Sequence, residues 1–399
     1  MKLVVKRREI KELAEGWILF YGRRKVGKSY LLKNFFQHDE YYDVLNDGSI
    51  WAKGAPLERI SDPDTLIQLI SSSLQGGKRV VIDEFQRLPL WVLERIKKVH
   101  PKGTLVLAGS SMGVVERVLN PSSPLLGFFR EVHLGLIHPQ DILRSIPSVD
   151  YAAYLRDPWL IPLMEGKDIL RDLYGMLSWA RYTVPSLIGE IFLEEDRKLT
   201  ETYRGLVKLI GEGVGSPPEM ATRLYGMGVI RRDSTSQIAP YLSNLERMGV
   251  IKRIPIYKKR GFIFRMISPI FSVYYYIDAK YGLERERPPY EVVKENLRKA
   301  HSFSIEDFCV LSLAERLGGE VRYSHTPEID GIIVDRRERP IATVEVKWGK
   351  LRKKDISTFL DKCGEIGGRK IIVARSGYKD HDEATILMPD DFRRFIIKE

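Results

Sequence analysis

Trp17-Ile18-Leu19-Phe20-Tyr21, then Gly22-Arg23-Arg24-Lys25-Val26-Gly27-Lys28-Ser29, then Tyr30-Leu31-Leu32-Lys33-Asn34-Phe35-Phe36 follow one another without a break. The middle stretch is a complete G-x-x-x-x-G-K-S loop set between an apolar strand and a helical pattern, the context in which such a loop wraps a phosphate. Its glycines let the backbone curl until N–H groups point inward, while Lys28 reaches the terminal phosphates and Ser29 ligates magnesium. Gly22, Arg23, Arg24, Lys25, Val26, Gly27, Lys28 and Ser29 are therefore expected to bind ATP with Mg2+.

Hydrolysis requires an acidic element beside that loop. Val80-Val81-Ile82-Asp83-Glu84 supplies it as a buried strand ending in two carboxylates. Asp83 is expected to hold magnesium through water and Glu84 to polarise the attacking water. A further apolar run, Leu105 to Ala108, ends at Ser110 and Ser111, either of which suits a sensor of the γ-phosphate. With Tyr41 to Leu45 and Val132 to Leu134, these runs alternate with helical patterns, which predicts a parallel α/β sheet of the P-loop NTPase kind.

The remaining chain changes character twice. Tyr203, Leu206, Leu209 and Ile210 share one helical face, Met220 to Met227 and Ile238 to Met248 continue the pattern, and Ile251 to Ile267 alternates around Lys258-Lys259-Arg260-Gly261. Three helices and a hairpin are the winged-helix order. Ser234-Thr235-Ser236-Gln237 has capping-box spacing, which starts the third helix and leaves Tyr241, Asn244 and Arg247 facing outward. Arg231, Arg232, Lys258, Lys259 and Arg260 flank the third helix and the hairpin tip, where DNA phosphates would be met. Past the proline-bearing segment Arg285 to Tyr290, a helix from Phe303 to Leu317 leads into strands near Val321, Ile329, Ile341 and Lys370.

Within that last block Glu328-Ile329-Asp330 opens one strand and Val344-Glu345-Val346-Lys347 lies in the next. A period of two places Glu345 and Lys347 on one face. Asp330 and Glu345, with the Val346 carbonyl, suit a hard divalent cation, Mg2+ or Mn2+, while Lys347 orients water or stabilises developing phosphate charge. That chemistry cuts phosphodiesters. His325 reads as a loop histidine, and Tyr274-Tyr275-Tyr276 as core.

Length and charge agree with several domains and an anionic partner. The 399 residues suit two to four domains, and a net charge of +11 favours nucleic acid, here DNA. No leader pattern or bilayer-length apolar run is present, so a cytoplasmic protein without membrane association is expected. Cys309 and Cys363 are the only cysteines, both read as small core hydrophobes without disulfide or zinc.

The loop and the Val80 to Glu84 element resemble those of the AAA-like ATPases found mainly in archaea, a branch related to the STAND signalling ATPases. The resemblance extends to Arg8-Glu9-Ile10-Lys11-Glu12-Leu13, similar to the family's start, and to Ser123-Pro124-Leu125-Leu126-Gly127, similar to its later loop. It implies a γ-phosphate-facing arginine, carried over onto Arg130 of Phe128-Phe129-Arg130. Val184-Pro185 stands where relatives have Gly-Gly-x-Pro. Homo-oligomers through the ATPase domain would bring an arginine in trans. The last hundred or so residues resemble the restriction-endonuclease-like, or PD-(D/E)xK, nuclease fold, which implies that Glu306 joins the metal set.

The expected organisation is a P-loop ATPase core over 1–145, a helical subdomain of the ATPase over 146–200, a winged-helix domain over 201–285 and a nuclease-like domain over 286–399. The expected function is an ATP-binding and hydrolysing switch acting on DNA. The rival is a non-catalytic regulatory ATPase whose last domain only binds, and a nucleic-acid motor ranks last because no helicase motif accompanies the two nucleotide-binding elements.

Overall fold

β1 (Trp17–Tyr21) forms over the residues its apolar run marks, and it is the axis of the first half of the molecule. The computed structural model describes residues 4–53, 58–96, 98, 102–110, 118–123, 125–189, 197–364 and 366–397. It divides into two compact units, one of Lys6–Leu136 and one comprising Ile137–Glu399 with the amino-terminal residues.

In the first unit α1 (Lys28–Asn34) follows the loop, then β2 (Glu40–Val44), β3 (Ile50–Ala52), β4 (Glu58–Ile60), α2 (Pro63–Gln75), β5 (Arg79–Asp83), α3 (Leu90–Ile96), β6 (Thr104–Gly109) and β7 (Arg130–His133). The seven strands lie in the order β4-β3-β2-β5-β6-β1-β7, parallel from β2 to β7 with β3 and β4 antiparallel at one edge. β1, β5 and β6 are buried on both faces, as their unbroken apolar sequences require. Side chains alternate between two cores, with Leu19, Ile82 and Leu107 on one side and Ile18, Phe20, Val81 and Val106 on the other. The short β3 and β4 carry no comparable apolar run and were not anticipated.

The second unit opens with α4 (Pro139–Ser145), α5 (Val149–Leu155), α6 (Ile169–Gly189) and α7 (Arg197–Gly211). With α7, α8 (Pro217–Gly226), α9 (Thr235–Arg247), β8 (Ile251–Pro255) and β9 (Phe262–Met266) give three helices and an antiparallel hairpin in the expected order. α10 (Pro269–Tyr281) buries Tyr274 and Tyr275, so that aromatic run is core. α11 (Tyr290–Leu317) starts well before the anticipated Phe303 because its amino-terminal turns bury Val293, Leu297 and Ala300.

A second sheet follows, β10 (Glu320–His325), β11 (Glu328–Val334), β12 (Pro340–Leu351), β13 (Arg369–Gly377) and β14 (Thr385–Leu387), ordered as numbered. β10, β11 and β12 are antiparallel, and β12, β13 and β14 are parallel, with α12 (Lys353–Cys363) making the crossover between β12 and β13. α13 (Pro389–Ile397) ends the described chain. Cys309 and Cys363 are free and buried.

Two expectations about the middle helices fail. Ser234 Oγ accepts from Ser236 N at 3.3 Å, and Gln237 Oε1 accepts from the amides of Arg231 and Arg232 instead of reaching back to Ser234. The side chain is drawn to two free amides of the preceding turn, so no reciprocal box forms. Asn244 Nδ2 donates to the buried Tyr203 hydroxyl at 2.7 Å and Tyr241 packs edge-on against the Tyr203 ring, which turns both toward α7. Of the three side chains expected outside, only Arg247 is fully exposed.

Candidate functional site

The phosphate loop leaves β1 at its carboxyl end, between β6 and β7, where parallel sheets place their ligands. Gly22 is required there by contact: a Cβ on it would stand 2.1 Å from the Leu134 carbonyl oxygen. Lys28 is buried at the start of α1, its Nζ donating to the carbonyls of Gly22 at 2.7 Å and Arg23 at 3.2 Å. Burial pulls its pKa down to about 8, against the opposing charges of Glu84 and Asp83 and with help from Arg23 and Arg24. The loop is braced from behind by Arg7, whose guanidinium donates to Val26 O at 3.0 Å and Gly135 O at 3.0 Å and pairs with Glu9 at 2.7 Å. The amino-terminal arginine–glutamate segment therefore acts through Arg7, one residue before the stretch on which the resemblance rests.

Asp83 ends β5, buried, and accepts from the Tyr41 hydroxyl at 2.5 Å and from the Glu84 amide at 3.1 Å. Burial and then the charge of Asp83 hold that hydroxyl protonated, far above its ordinary value, with the nearby Ser29 hydroxyl opposing the shift. Tyr41 thus brings together the two residues expected to hold magnesium. Glu84 takes a left-handed backbone conformation, φ 56°, which costs a non-glycine residue on the order of 1 kcal/mol and marks a site where strain is tolerated. Its Oε2 accepts from Gln86 Nε2 at 2.8 Å, and the same Gln86 nitrogen lies 3.5 Å from Ser110 Oγ. Gln86, whose Oε1 is buried without a hydrogen-bond partner among the described residues, joins the expected base to the expected sensor. Ser111 lies outside the described residues.

Arg130 is not brought to this site. It begins β7 level with Ile18, three residues before the end of β1, and its guanidinium donates to the Glu12 carbonyl. Parallel pairing fixes this: the start of β7 lies beside the start of β1, whereas the loop leaves from the other end. Val184 and Pro185 belong to α6, in the other unit.

The second site lies on β11, β12 and α11. Gly331 pairs with Val344 across an antiparallel ladder, which sets Asp330 level with Glu345. Asp330 Oδ2 accepts from Val346 N at 2.7 Å. Glu345 is buried, and its Oε1 meets Lys347 Nζ at 3.0 Å and Lys362 Nζ at 3.9 Å. Lys362, on α12, thus brings a second ammonium to Glu345 from the helix that follows β12. Burial and the charge of Glu345 push Asp330 up to about 6, and burial with Asp330 and Asp307 pushes Glu306 up to about 8. Among the described residues no three His, Cys, Asp or Glu side chains close into a metal-holding group, so the expected set Glu306, Asp330, Glu345 does not converge in full. The reason is local: Asp330 is held by a backbone amide and Glu345 by two lysines. The Asp330–Glu345 pair and the Val346 carbonyl remain the oxygen donors that suit a hard divalent cation, and the upward shift of Asp330, led by burial and then by Glu345, is one that a bound cation would relieve.

α11 lies close on β11 because a Cβ at Gly331 would stand 2.4 Å from Val310 Cγ1. The hairpin is tied to the same sheet. Tyr257 N donates to Tyr323 O at 2.9 Å, and Arg265 of β9 pairs with Asp307, the neighbour of Glu306. Lys258, Lys259 and Arg260 at the hairpin tip and Arg231 and Arg232 before α9 are all exposed. No helix among the described residues is long and apolar enough to cross a membrane.

Residues 14–134 match a family model described as an AAA domain. That match spans most of the P-loop unit, including the phosphate loop and the Val80 to Glu84 strand. An uncharacterized protein of Methanocaldococcus jannaschii is 26% identical over 396 residues, covering 85% of this chain and 84% of its own. The Aeropyrum pernix ORC2 protein, solved as ADPNP–ADP complexes, is 13% identical over 72% of this chain and 88% of its own, with a TM-score of 0.35. The Aeropyrum pernix ORC1 protein in complex with DNA is 16% identical over 71% of this chain and 95% of its own, TM-score 0.27. A Signal Transduction ATPase with Numerous Domains from Pyrococcus horikoshii, with a tetratricopeptide repeat sensor, is 15% identical over 79% of this chain and 50% of its own, TM-score 0.27. Likenesses of that size leave the roles of individual residues to the geometry of this chain.

Proposed function

We propose that the protein binds and hydrolyses ATP as a switch that governs an action on DNA, with a winged helix for DNA contact and a metal-dependent, nuclease-like carboxyl-terminal domain. The nucleotide reading is carried by one observation: Lys28, Ser29, Asp83, Glu84 and Ser110 gather at the carboxyl edge of β1, β5 and β6, linked through Tyr41 and Gln86. Lys28 and the loop amides bind the β- and γ-phosphates, Ser29 and Asp83 suit Mg2+, and Glu84 orients the attacking water while Gln86 relays its position to Ser110. Magnesium supplies charge neutralisation on the transferring phosphoryl group. Replacing Lys28 by alanine is expected to weaken ATP binding roughly 100-fold, since a charge-assisted contact to the phosphates is lost. Calorimetry reads this directly, and unchanged binding would remove the nucleotide from the proposal.

For the second site the nuclease reading rests on Asp330 and Glu345 facing each other across one ladder with Lys347 beside them. A divalent cation there would polarise a phosphodiester, and Lys347 and Lys362 would stabilise the charge that develops on it. One observation favours the rival, in which the domain binds without cutting: three carboxylates do not close on a common point among the described residues. Plasmid and single-stranded DNA, incubated with Mg2+ or Mn2+ with and without ATP, separate the two. Cutting that disappears in Glu345→Ala and Lys347→Ala supports the nuclease; the same background in all three proteins supports the binder.

A further inference from the structure

Beside the carboxylate strand lies a cavity of about 420 Å³ that no step above uses. Trp348, the residue after Lys347, lines it together with His301 of α11, Asp150 of α5 and three cations, Lys167, Arg298 and Arg375. Its architecture is fixed. Asp150 Oδ1 accepts from Trp348 Nε1 at 2.7 Å and from His301 Nε2 at 2.8 Å, and the other imidazole nitrogen of His301 meets the Tyr154 hydroxyl at 3.1 Å. Burial opposes the charge of Asp150, but the bonds from His301 and Trp348 and the charge of Arg375 hold its carboxyl below the usual range, so it stays an anchored acceptor.

The acidic groups of the lining are occupied and the basic ones are available. Besides Asp150, the carboxylate of Asp168 accepts from the amides of Leu170 and Arg171 at the start of α6. Among the described residues Arg298 and Lys167 pair only with the exposed Glu295 and Glu165, contacts that hold little in water. Arg375 forms no ion pair among the described residues. A pinned indole beside three cations is the chemistry that receives a base and its phosphate.

We propose that this cavity receives one unpaired nucleotide of the DNA strand that lies across Asp330 and Glu345, its base stacked on Trp348 and its phosphate held by Arg375 and Arg298. Trp348 follows Lys347 and so faces the other side of β12, as Arg375 does after Ala374, but the β11–β12 ladder ends at Gly331–Val344, so past Val344 a strand crossing Asp330 and Glu345 can pass that edge of β12 to the face where α11 carries His301. The volume suits a single nucleotide. The substrate is therefore DNA with a single-stranded segment, because a base already unpaired enters without the cost of extrusion from a duplex. This inference rests on the DNA reading given above.

The test is binding of the full chain in EDTA, so that nothing is cut, to a labelled single-stranded oligonucleotide and to a blunt duplex of the same sequence, followed by fluorescence anisotropy. Trp348→Ala is expected to weaken single-strand binding roughly 5- to 100-fold and duplex binding less than about twofold. Arg375→Gln, at an exposed position, keeps the test sound if the tryptophan variant folds poorly. It is expected to weaken single-strand binding and lower its salt slope by about 0.7, the value for one phosphate contact. Wild-type binding left unchanged by both folded variants overturns the cavity alone, as does an equal loss on duplex and single strand. A deoxynucleoside monophosphate bound through Trp348 and Arg375, with oligonucleotide binding untouched, also overturns it in favour of a free nucleotide. Wild type that binds neither DNA overturns the DNA reading itself.

Discussion

The two candidate sites are opposite in charge and in construction. At the phosphate loop a buried ammonium is pulled down toward neutrality; at the second sheet carboxylates are pushed up toward it. Both shifts are led by one cause, burial of a charged group, and each would be relieved by a ligand of opposite charge, a phosphate in the first case and a cation in the second. The loop, however, draws its ligands from eight consecutive residues, Gly22 to Ser29, whereas the second site draws on two strands and two helices. A site made by a local turn is set when the turn forms. One assembled from distant elements is only as good as their packing.

If that contrast is right, the largest single effect belongs to chemistry at the first site. Glu84→Gln keeps the shape and the Gln86 contact but removes the base, so ATP turnover should fall by about 10²- to 10⁴-fold while nucleotide affinity stays near wild type. Phosphate release and calorimetry on the same preparation check both halves. Lost binding with lost turnover would instead make Glu84 part of the loop's packing and weaken the idea of a preformed, self-contained site.

The ammonium side of the comparison has a pH signature. Lys28 titrates at about 8 in the folded loop against an ordinary 10.5. Between those values the unfolded chain still carries the proton that the folded loop has given up, so unfolding takes up a proton and stability rises with pH across the window. The gain is about 3 kcal/mol at most by pH 10.5. Tyrosines of the unfolded chain ionise near pH 10, so the quantity to measure is the difference between wild type and Lys28→Met in urea midpoint at pH 8 and pH 10. A difference that does not change with pH would show that the ammonium is not desolvated.

What could be read from the sequence divides along the same line. The loop, the Val80 to Glu84 strand and the longer strands of both α/β sheets were legible because they are written in consecutive residues and in period-two patterns, whereas the short β3, β4 and β14 were not. Asp330, Glu345 and Lys347 were legible for a related reason, since a strand fixes which side chains share a face. Tyr41, Gln86, Arg7 and Lys362 were not. Each acts through a partner on another element, and nothing in the local pattern around Tyr41 distinguishes it from Tyr42, which bonds Glu40 instead. Arg130 was misplaced for the converse reason: proximity to a family loop in sequence says nothing about which end of a parallel strand it occupies.

Packing at the assembled site can be broken at one atom. A methyl group at Gly331 would enter the space of Val310, so Gly331→Ala should destabilise the second unit by about 1–3 kcal/mol and lift α11 from β11. The same change should reduce any metal- or DNA-dependent activity and leave ATP binding untouched, which thermal melts and calorimetry resolve. A variant of full stability would mean that α11 tolerates the shift, and that Glu306 is not held by close packing.

The smallest expected effect tests whether the hairpin and the carboxylate helix are one body electrostatically. Arg265 and Asp307 pair with side chains 35% and 30% exposed, and burial lowers the pKa of Lys252 on β8 while Asp307 raises it. Asp307 therefore serves two cations. Asp307→Asn leaves Lys252 and Arg265 facing each other and should cost about 1–2 kcal/mol, discounted from the value of a fully buried pair because water reaches both partners. Arg265→Met leaves Asp307 with Lys252 and should cost less, about 0.5–1 kcal/mol. The double variant should fall below the sum of the two by the pair's own coupling, read from urea midpoints as a double-mutant cycle. Equal single costs, or strict additivity, would mean that the hairpin touches α11 without being coupled to it, and that DNA contact at Lys258 to Arg260 reaches the carboxylates only through the Tyr257–Tyr323 backbone bridge.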